Sequence, residues 1–186
     1  MDHIEIKLER NAFLFPSPMI VLGTQKNDKI NWISIAYAGI VDSQHVSCSL
    51  NKNHFSNKII RDNGCASINI PSRHDMKKVD FIGLNSGNTI DKSGLYEPFY
   101  GNIKNCPMIK SYFLSMECTL TDTLDRGKSE LFIFHPEHIY MCSDVKDNIL
   151  NYPDVKKIDP LLFSWYGYYC LGEKIGIPWK EGLSFF

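Results

Sequence analysis

The sequence lacks any strong imbalance of charge. Its 186 residues carry 20 lysines and arginines against 21 aspartates and glutamates, a formal net charge of −1 at pH 7. The lysines are scattered along the chain and form no basic block. A protein of this charge has no broad electrostatic attraction for nucleic acid or for an anionic membrane surface. We therefore predict neither nucleic acid nor a membrane as a partner.

Long apolar runs are also missing. No stretch approaches the ~20 residues that a membrane-spanning helix needs. Residues 1–5 lack the basic-then-apolar pattern of a secretory signal peptide, so the expected location is the cytoplasm. The six cysteines include no Cys-x-x-Cys pair, which argues against a zinc ribbon or a redox dithiol. Cys48 and Cys118 fall on the apolar side of alternating segments, so we expect most cysteines to be small buried hydrophobic residues in a reducing compartment.

Several catalytic signatures are absent as well. The patterns G-x-G-x-x-G, G-x-x-x-x-G-K-[ST] and G-x-S-x-G do not occur, which argues against a Rossmann turn, a P-loop and a hydrolase nucleophile elbow. The segment His135-Pro136-Glu137-His138 offers two imidazoles without a third ligand nearby in sequence, so no metal site is predicted. The carboxylates show no paired arrangement, and we predict no catalytic side chain.

What the sequence does contain is a series of short segments that alternate between apolar and polar residues, within a composition that is 44% hydrophobic and 12% aromatic. Alternation of period two is typical of half-buried strands. It predicts a first strand at 4–8, and then a hairpin of strands 19–24 and 30–37 around a turn at 26–29. Further strands are predicted at 45–50, 66–70, 115–124 and 129–142, and the last of these is interrupted near Pro136.

Helices are expected only as short connections. Residues 56–62 form one such segment, closed by Gly64 as the C-terminal cap. Residues 73–82 form a second, with Met76, Val79 and either Phe81 or Ile82 turned inward. Residues 83–101 are rich in glycine, serine and asparagine, which predicts a loop with at most a brief helix. Because no strand–helix alternation or repeat is visible, the pattern favours one closed antiparallel barrel over a parallel sheet, with residues 1–186 as a single domain.

Four polar segments punctuate this pattern. They are Asn31-Trp32-Ile33-Ser34-Ile35-Ala36-Tyr37, Lys52-Asn53-His54-Phe55-Ser56, a strand ending in Asn69-Ile70-Pro71, and Gly83 to Lys92 with its Asn85-Ser86-Gly87 and Asp91-Lys92. In this order and spacing they resemble the flavin reductase-like family, whose members hold FMN in a split β-barrel, and above all its flavoredoxin-like branch. The likeness runs from about Pro18 to about Gly176. It implies a mainly β fold, an antiparallel Greek-key split β-barrel with short α-helical insertions.

The resemblance implies a cofactor site on the strand that begins at Asn31. The residues expected beside the flavin ring are Asn31, Ser34, Ile35, Ala36 and Tyr37. Family members commonly carry tryptophan where this chain has Tyr37, so the aromatic face is kept with less area. The alternative interpretation is an amphipathic strand with a surface asparagine.

The segment Lys52-Asn53-His54-Phe55-Ser56 is expected to hold the phosphate, with Lys52, Asn53, His54 and Ser56 as contacts. It ends a strand and begins a helix, where free N–H groups and the helix dipole favour an anion. Ser56 matches a family serine or threonine that serves the phosphate. The alternative is that Ser56 or Asn53 only caps the helix.

Three further contacts follow from the resemblance. Ser86 and Lys92 match a family pattern of S-G followed by D-K-F, in which Ser93 here replaces the aromatic. Lys92 would supply a cation to the phosphate or to the flavin pyrimidine. His135, or else His138, matches a strand histidine near the flavin, and Tyr168, or its neighbours Tyr166 and Tyr169, matches an aromatic that returns to it.

The resemblance implies an FMN-dependent oxidoreductase that uses NADH or NADPH as a transient co-substrate. An electron carrier reduced by a partner protein is the alternative from a different class, and a flavin-binding domain without turnover is a third. The resemblance also implies a homodimer with the flavin at the subunit boundary. The apolar segment 177–186 is expected to pack on the partner, or else to cover its own barrel.

Overall fold

In the computed structural model, which describes residues 3–5, 12–147, 152–165 and 167–184, short antiparallel strands form most of the molecule. The strands of this part of the chain are β1 (Ser17–Pro18), β2 (Ile20–Lys26), β3 (Lys29–Ile35), β4 (Ala38–Ile40), β5 (Val46–Asn51), β6 (Cys65–Ile70), β7 (Pro98–Phe99), β8 (Met108–Ile109), β9 (Leu114–Arg126), β10 (Ser129–Met141), β11 (Leu162–Ser164) and β12 (Gly167–Tyr169). The α-helices are α1 (Phe55–Asn63), α2 (Met76–Leu84) and α3 (Val155–Ile158), and 3-10 turns lie at Arg73–Asp75, Ser93–Leu95, Ser143–Val145 and Glu181–Ser184.

Seven strands form one sheet in the order β3-β2-β6-β9-β10-β5-β4, and its neighbours are all antiparallel. The two outer strands of that order, β3 and β4, are joined by residues 36 and 37 alone. The sheet therefore curls back toward itself, since so short a connection cannot cross an open sheet. This confirms the mainly β, antiparallel barrel with short helices.

The barrel interior is filled by the inward residues of the alternating strands. Cys48 and Leu50 on β5 are fully buried beside Phe132 and Phe134 on β10, and Ile68 on β6 completes this side. The predicted burial of cysteines is confirmed for four of the six, and burial raises the pKa of the Cys48 thiol to about 12. These thiols act as small apolar side chains.

A second apolar layer lies between the outer face of β2 and β3 and helix α2. Trp32 on β3 and Val79 on α2 are fully buried there. Ile82 is 1% exposed and Phe81 41% exposed, which decides between the two predicted inward residues. The expectation for Met76 was wrong, because this first residue of α2 lies exposed, one turn before the buried stripe begins.

Local turn chemistry accounts for the chain reversals. Gly64 closes α1 at a φ of 66°, a left-handed conformation that glycine adopts without strain, so the predicted cap is confirmed. Strand β10 is irregular between Pro136 and His138, where the interruption was predicted. Residues 3–5 form no strand, and the rest of the predicted strand 4–8 lies outside the described residues. Within the described chain, none of the helices has the length and apolarity that crossing a bilayer requires.

Candidate functional site

Helix α1 begins at the barrel mouth with an unsatisfied N-terminus. Its N-cap residue is His54, no side chain bonds to its first N–H groups, and its first turn contains no acidic residue. The alternative interpretation, in which Asn53 or Ser56 only caps the helix, does not hold: His54 occupies the N-cap position, no side-chain cap bond is formed, and Ser56 lies inside the helix. The first N–H groups of a helix have no intrahelical acceptors and carry partial positive charge. This helix start therefore suits an anion.

Ser56 is oriented by Asn31 across the gap between α1 and β3. Asn31 Nδ2 donates to Ser56 Oγ at 2.8 Å, and both residues are buried. Because the hydroxyl oxygen accepts this bond, its own proton is left to donate elsewhere. Gly87 packs closely against Asn31: a Cβ at this glycine would lie 2.3 Å from Asn31 Oδ1, so only glycine allows the close approach.

Lys92 brings a buried cation to the same place. The residue is 2% exposed, and its Nζ donates to Asn85 O at 2.9 Å and to Ile82 O at 3.2 Å, at the C-terminal end of α2. Among the described residues, no carboxylate forms an ion pair with it. Burial lowers the pKa of Lys92 to about 8, so the side chain is still mainly charged at pH 7. Its positive charge lacks a counter-charge.

His54 adds an unpaired ring nitrogen. Its Nδ1 is buried and has no hydrogen-bond partner within the described part of the chain. Burial, and secondly the charge of Lys92, lower the pKa of His54 below its ordinary value. The imidazole is therefore neutral near pH 7 in the protein alone.

These groups line one pocket of about 140 Å³ between α1, β3 and the segment 82–92. Its lining residues are Asn31, Ile33, Ser34, His54, Phe55, Ile82, Gly83, Leu84, Asn85, Ser86, Gly87 and Lys92. A second cavity of about 210 Å³ adjoins it through the shared residues Ser34, Gly83 and Leu84. Ala36 and Tyr168 line this second cavity. Together the two form a groove beside β3, called the β3 groove below, with the cationic pocket at one end.

Tyr168 is the tyrosine that reaches the β3 groove. Its Oη donates to Asp80 Oδ1 at 2.7 Å, and its ring packs edge-on against Phe163. Burial and the Asp80 carboxylate raise the pKa of Tyr168 to about 12, so it is a neutral hydrogen-bond donor. Tyr169 is exposed, and Tyr166 lies outside the described residues.

Comparison with known proteins decides the family. A family model described as a flavin reductase like domain matches residues 12–169. The chain belongs to this family. The fold agrees, since the crystal structure of flavoredoxin from Methanosarcina acetivorans superposes with a TM-score of 0.91 at 34% identity, covering 99% of this chain and 100% of that one.

Two further solved structures extend this picture of the flavin reductase like family. Flavoredoxin of Desulfovibrio vulgaris (Miyazaki F) has a TM-score of 0.87 at 26% identity, over 96% of this chain and 100% of its own. An FMN-binding protein from Thermus thermophilus, solved with bound 1-cyclohex-2-enone, has a TM-score of 0.81 at 17% identity over 96% and 100%, which shows the fold alone. No curated protein matches the sequence. The family supports flavin binding as the class of function.

Seven of the residues that the resemblance implied meet at the β3 groove in this family member: Asn31, Ser34, Ala36, His54, Ser86, Lys92 and Tyr168. Ser56 joins them through its bond from Asn31. Ile35 does not present its side chain, because the alternation of β3 turns it into the barrel core. Only its backbone is available on the groove side.

Four implied residues lie elsewhere. Lys52 pairs with Asp125 at 2.6 Å on the β9–β10 side, and exposed Asn53 belongs to the turn before α1. Tyr37 is exposed and lines a separate apolar cavity with Phe15 and Trp165. His135 lies next to His45 at another surface site, where the two ring centroids are 5.6 Å apart. The Nδ1 of His135 lies 3.0 Å from Gln44 O. No cluster of His, Cys, Asp and Glu in the described residues could hold a metal ion.

Among the groove residues that were not predicted as contacts, Asp80 is the one with a clear role. It follows the buried Val79 on α2, whereas Phe55 and Asn85 lie within the predicted polar segments without having been assigned a contact. The signal for Asp80 was its position three residues before Gly83, which places both on one side of the helix. Nothing in the sequence relates Asp80 to Tyr168, 88 residues later.

Proposed function

We propose that the protein binds FMN in the β3 groove, with the phosphate group at the start of α1. The observation that carries this proposal is the convergence of three unmet electrostatic demands in one pocket. Among the described residues, they are the uncapped helix N-terminus, the cation Lys92 without a counter-charge, and the buried Nδ1 of His54 without a hydrogen-bond partner. A phosphate dianion offers the negative charge and acceptor oxygens that all three lack.

The remainder of the groove fits the less polar part of the cofactor. Ser34 and Ala36 are small enough for a planar ring to approach the β3 backbone, and Asn31 brings an amide. Tyr168 supplies an aromatic face and a hydroxyl that Asp80 holds in place. These residues would orient the cofactor, and the groove walls would keep water from one side of it.

The proposed activity is transfer of electrons from NADH or NADPH to an acceptor. When bound, the flavin would supply this chemistry by accepting hydride and passing electrons on. The residues of this chain bind and tune, and none is required as a nucleophile or general base. Lys92 would hold the phosphate through its charge, which is strong because it lies in a buried pocket.

An electron carrier reduced by a partner protein is the second candidate. The observation in its favour is the similarity to two flavoredoxins over essentially their whole length, at 34% and 26% identity. Such a carrier would bind FMN in the same groove and react slowly or not at all with nicotinamides.

One experiment separates the candidates. The visible spectrum of the purified protein is recorded, FMN is added if the protein is colourless, and NADH and NADPH are then titrated in without oxygen. Bleaching of the flavin by either nicotinamide supports the reductase. A flavin that stays oxidised until a protein reductant is added supports the carrier. A protein that neither contains nor takes up FMN refutes both.

We also propose a homodimer in which the C-terminal segment contacts the partner subunit. Trp179 is 94% exposed, and Ile177 and Leu183 are also exposed, so these side chains do not cover their own barrel. A group of exposed apolar side chains close together in the chain marks a surface that proteins bury on association. Phe185 and Phe186, which the same expectation included, lie outside the described residues.

A further inference from the structure

We propose that His54 takes up a proton when the phosphate group of FMN binds, and that this proton makes the site selective for FMN over riboflavin. The inference rests on the proposed FMN site and concerns how that site recognises its ligand. It assigns His54 as a specificity-determining residue.

The geometry places the imidazole where it can meet the phosphate. His54 is the N-cap of α1, so its ring lies beside the free N–H groups that would hold the anion. It lines the same pocket as Lys92, and its buried Nδ1 has no partner in the described residues. In the protein alone this nitrogen has lost water and gained no hydrogen bond, so a ligand oxygen that meets it replaces a missing contact.

The charges around His54 oppose its protonation until an anion arrives. From the segment after α2, the cation Lys92 disfavours a second positive charge, in addition to burial. Lys29 lies over the Phe55 ring at 5.8 Å and adds positive charge from β3. The carboxylates on α1 and on the segments around it each interact with a cation: Asp62 with Lys58, Glu130 with Arg61, Asp91 with Lys29 and Asp125 with Lys52.

A phosphate dianion reverses this balance. Its two negative charges favour imidazolium, so the pKa of His54 rises when FMN binds. The sign follows from linkage: a group whose pKa rises on binding strengthens binding fully below its lower pKa, and this gain is lost as pH rises through the higher pKa. Each rise of one in the pKa corresponds to about tenfold tighter binding on the acid side. Riboflavin lacks the phosphate and gains nothing from the proton.

Isothermal titration calorimetry of the full-length, flavin-free protein tests the inference. FMN and riboflavin are titrated at pH 7 in two buffers with different ionisation enthalpies, which gives the protons exchanged per ligand. We expect net uptake of about half a proton or more with FMN and none with riboflavin. The phosphate of FMN, with a pKa near 6, could only release protons here, so uptake belongs to the protein.

The variant His54→Gln provides the matched control. Glutamine keeps a neutral hydrogen-bond donor but cannot take a proton. It is preferred to asparagine because asparagine is a strong helix cap and would occupy the N–H groups itself. FMN binding without proton uptake in this variant, and a preference for FMN over riboflavin reduced about tenfold, are the expected results.

The outcomes are distinct. FMN binding with no proton uptake by the unchanged protein overturns the inference and leaves the proposed function standing. Equal uptake by the unchanged protein and by His54→Gln also overturns it, because the proton then goes to another group. Failure of FMN to bind at all overturns the proposed function itself.

Discussion

The substitution Lys92→Met tests whether the buried cation exists for the ligand. Lys92 is 2% exposed, and within the described part of the chain its ammonium group donates to two backbone carbonyls. Methionine keeps most of the apolar stem and removes the charge and the donors. The variant therefore separates the cost of the charge in folding from its benefit in binding.

The burial of Lys92 sets the size of the folding cost. Burial lowers the pKa of Lys92 from 10.5 to about 8, so holding the charged form in the folded protein costs about 3 kcal/mol at pH 7. This cost declines as pH rises through 8, because the folded protein releases the proton while the unfolded chain keeps it up to about 10.5. The folded protein should gain about 2 kcal/mol of unfolding free energy from this residue between pH 7 and pH 9.5.

Lys92→Met should lose that pH-dependent gain. At pH 7 its stability should stay within about 2 kcal/mol of the original, because relief from the buried charge offsets two carbonyls left without a donor. FMN binding should weaken about 10- to 100-fold, the value of a charge-assisted hydrogen bond. Urea unfolding of the flavin-free proteins at both pH values, together with fluorescence titration of FMN, measures these quantities.

Two results would refute this reasoning. If the two proteins gain equal stability between pH 7 and pH 9.5, Lys92 does not titrate in that range and its charge is not destabilised by burial. If FMN binds equally well to both, the cation does not serve the cofactor, and its role is to hold the C-terminal carbonyls of α2.

Three other substitutions or truncations probe the same site and the dimer. Gly87→Ala should weaken FMN binding about tenfold, because its Cβ would lie 2.3 Å from Asn31 Oδ1. Gly94→Ala is the control, since there is open space around Gly94, and equal losses of affinity in the two variants would contradict the close-packing argument. Lys52→Met should leave FMN affinity unchanged within about twofold, since an exposed ion pair contributes little, and a large loss in the same titration would restore Lys52 to the site. Removing the residues after Gly176 should yield a monomer by light scattering, whereas an unchanged oligomer would exclude this segment from the interface.

Much of the fold follows from local sequence rules. Alternation along β5 and β6 assigns Cys48, Leu50 and Ile68 to the barrel core, and Gly64 marks the end of α1 through its left-handed backbone. What sequence alone did not decide is the exact phase of α2. Phe81 and Ile82 are equally apolar, and only the packing of the helix on β3 selects Ile82.

The candidate site was predictable to the extent that its residues belong to the polar segments that interrupt the apolar alternation. Asn31, His54 and Lys92 were assigned from the family pattern, and they line one pocket. Lys52 directly follows β5 and His135 lies within β10, yet Lys52 pairs with Asp125 and His135 lies against Gln44 O, both away from the groove. The direction of a side chain depends on strand register and packing, which the local sequence does not specify.

The site is more informative than any one of its residues, because each feature alone has an ordinary structural explanation. Lys92 could merely satisfy the carbonyls of α2, an uncapped helix could be hydrated, and one histidine nitrogen could bond to water. Three separate structural explanations would then be needed for features that meet in a pocket of about 140 Å³. A single anion lowers the free energy of all three at once, since each has excess positive charge or a missing acceptor. Because one phosphate would account for all three features, we assign the phosphate, rather than the ring, to this end of the β3 groove.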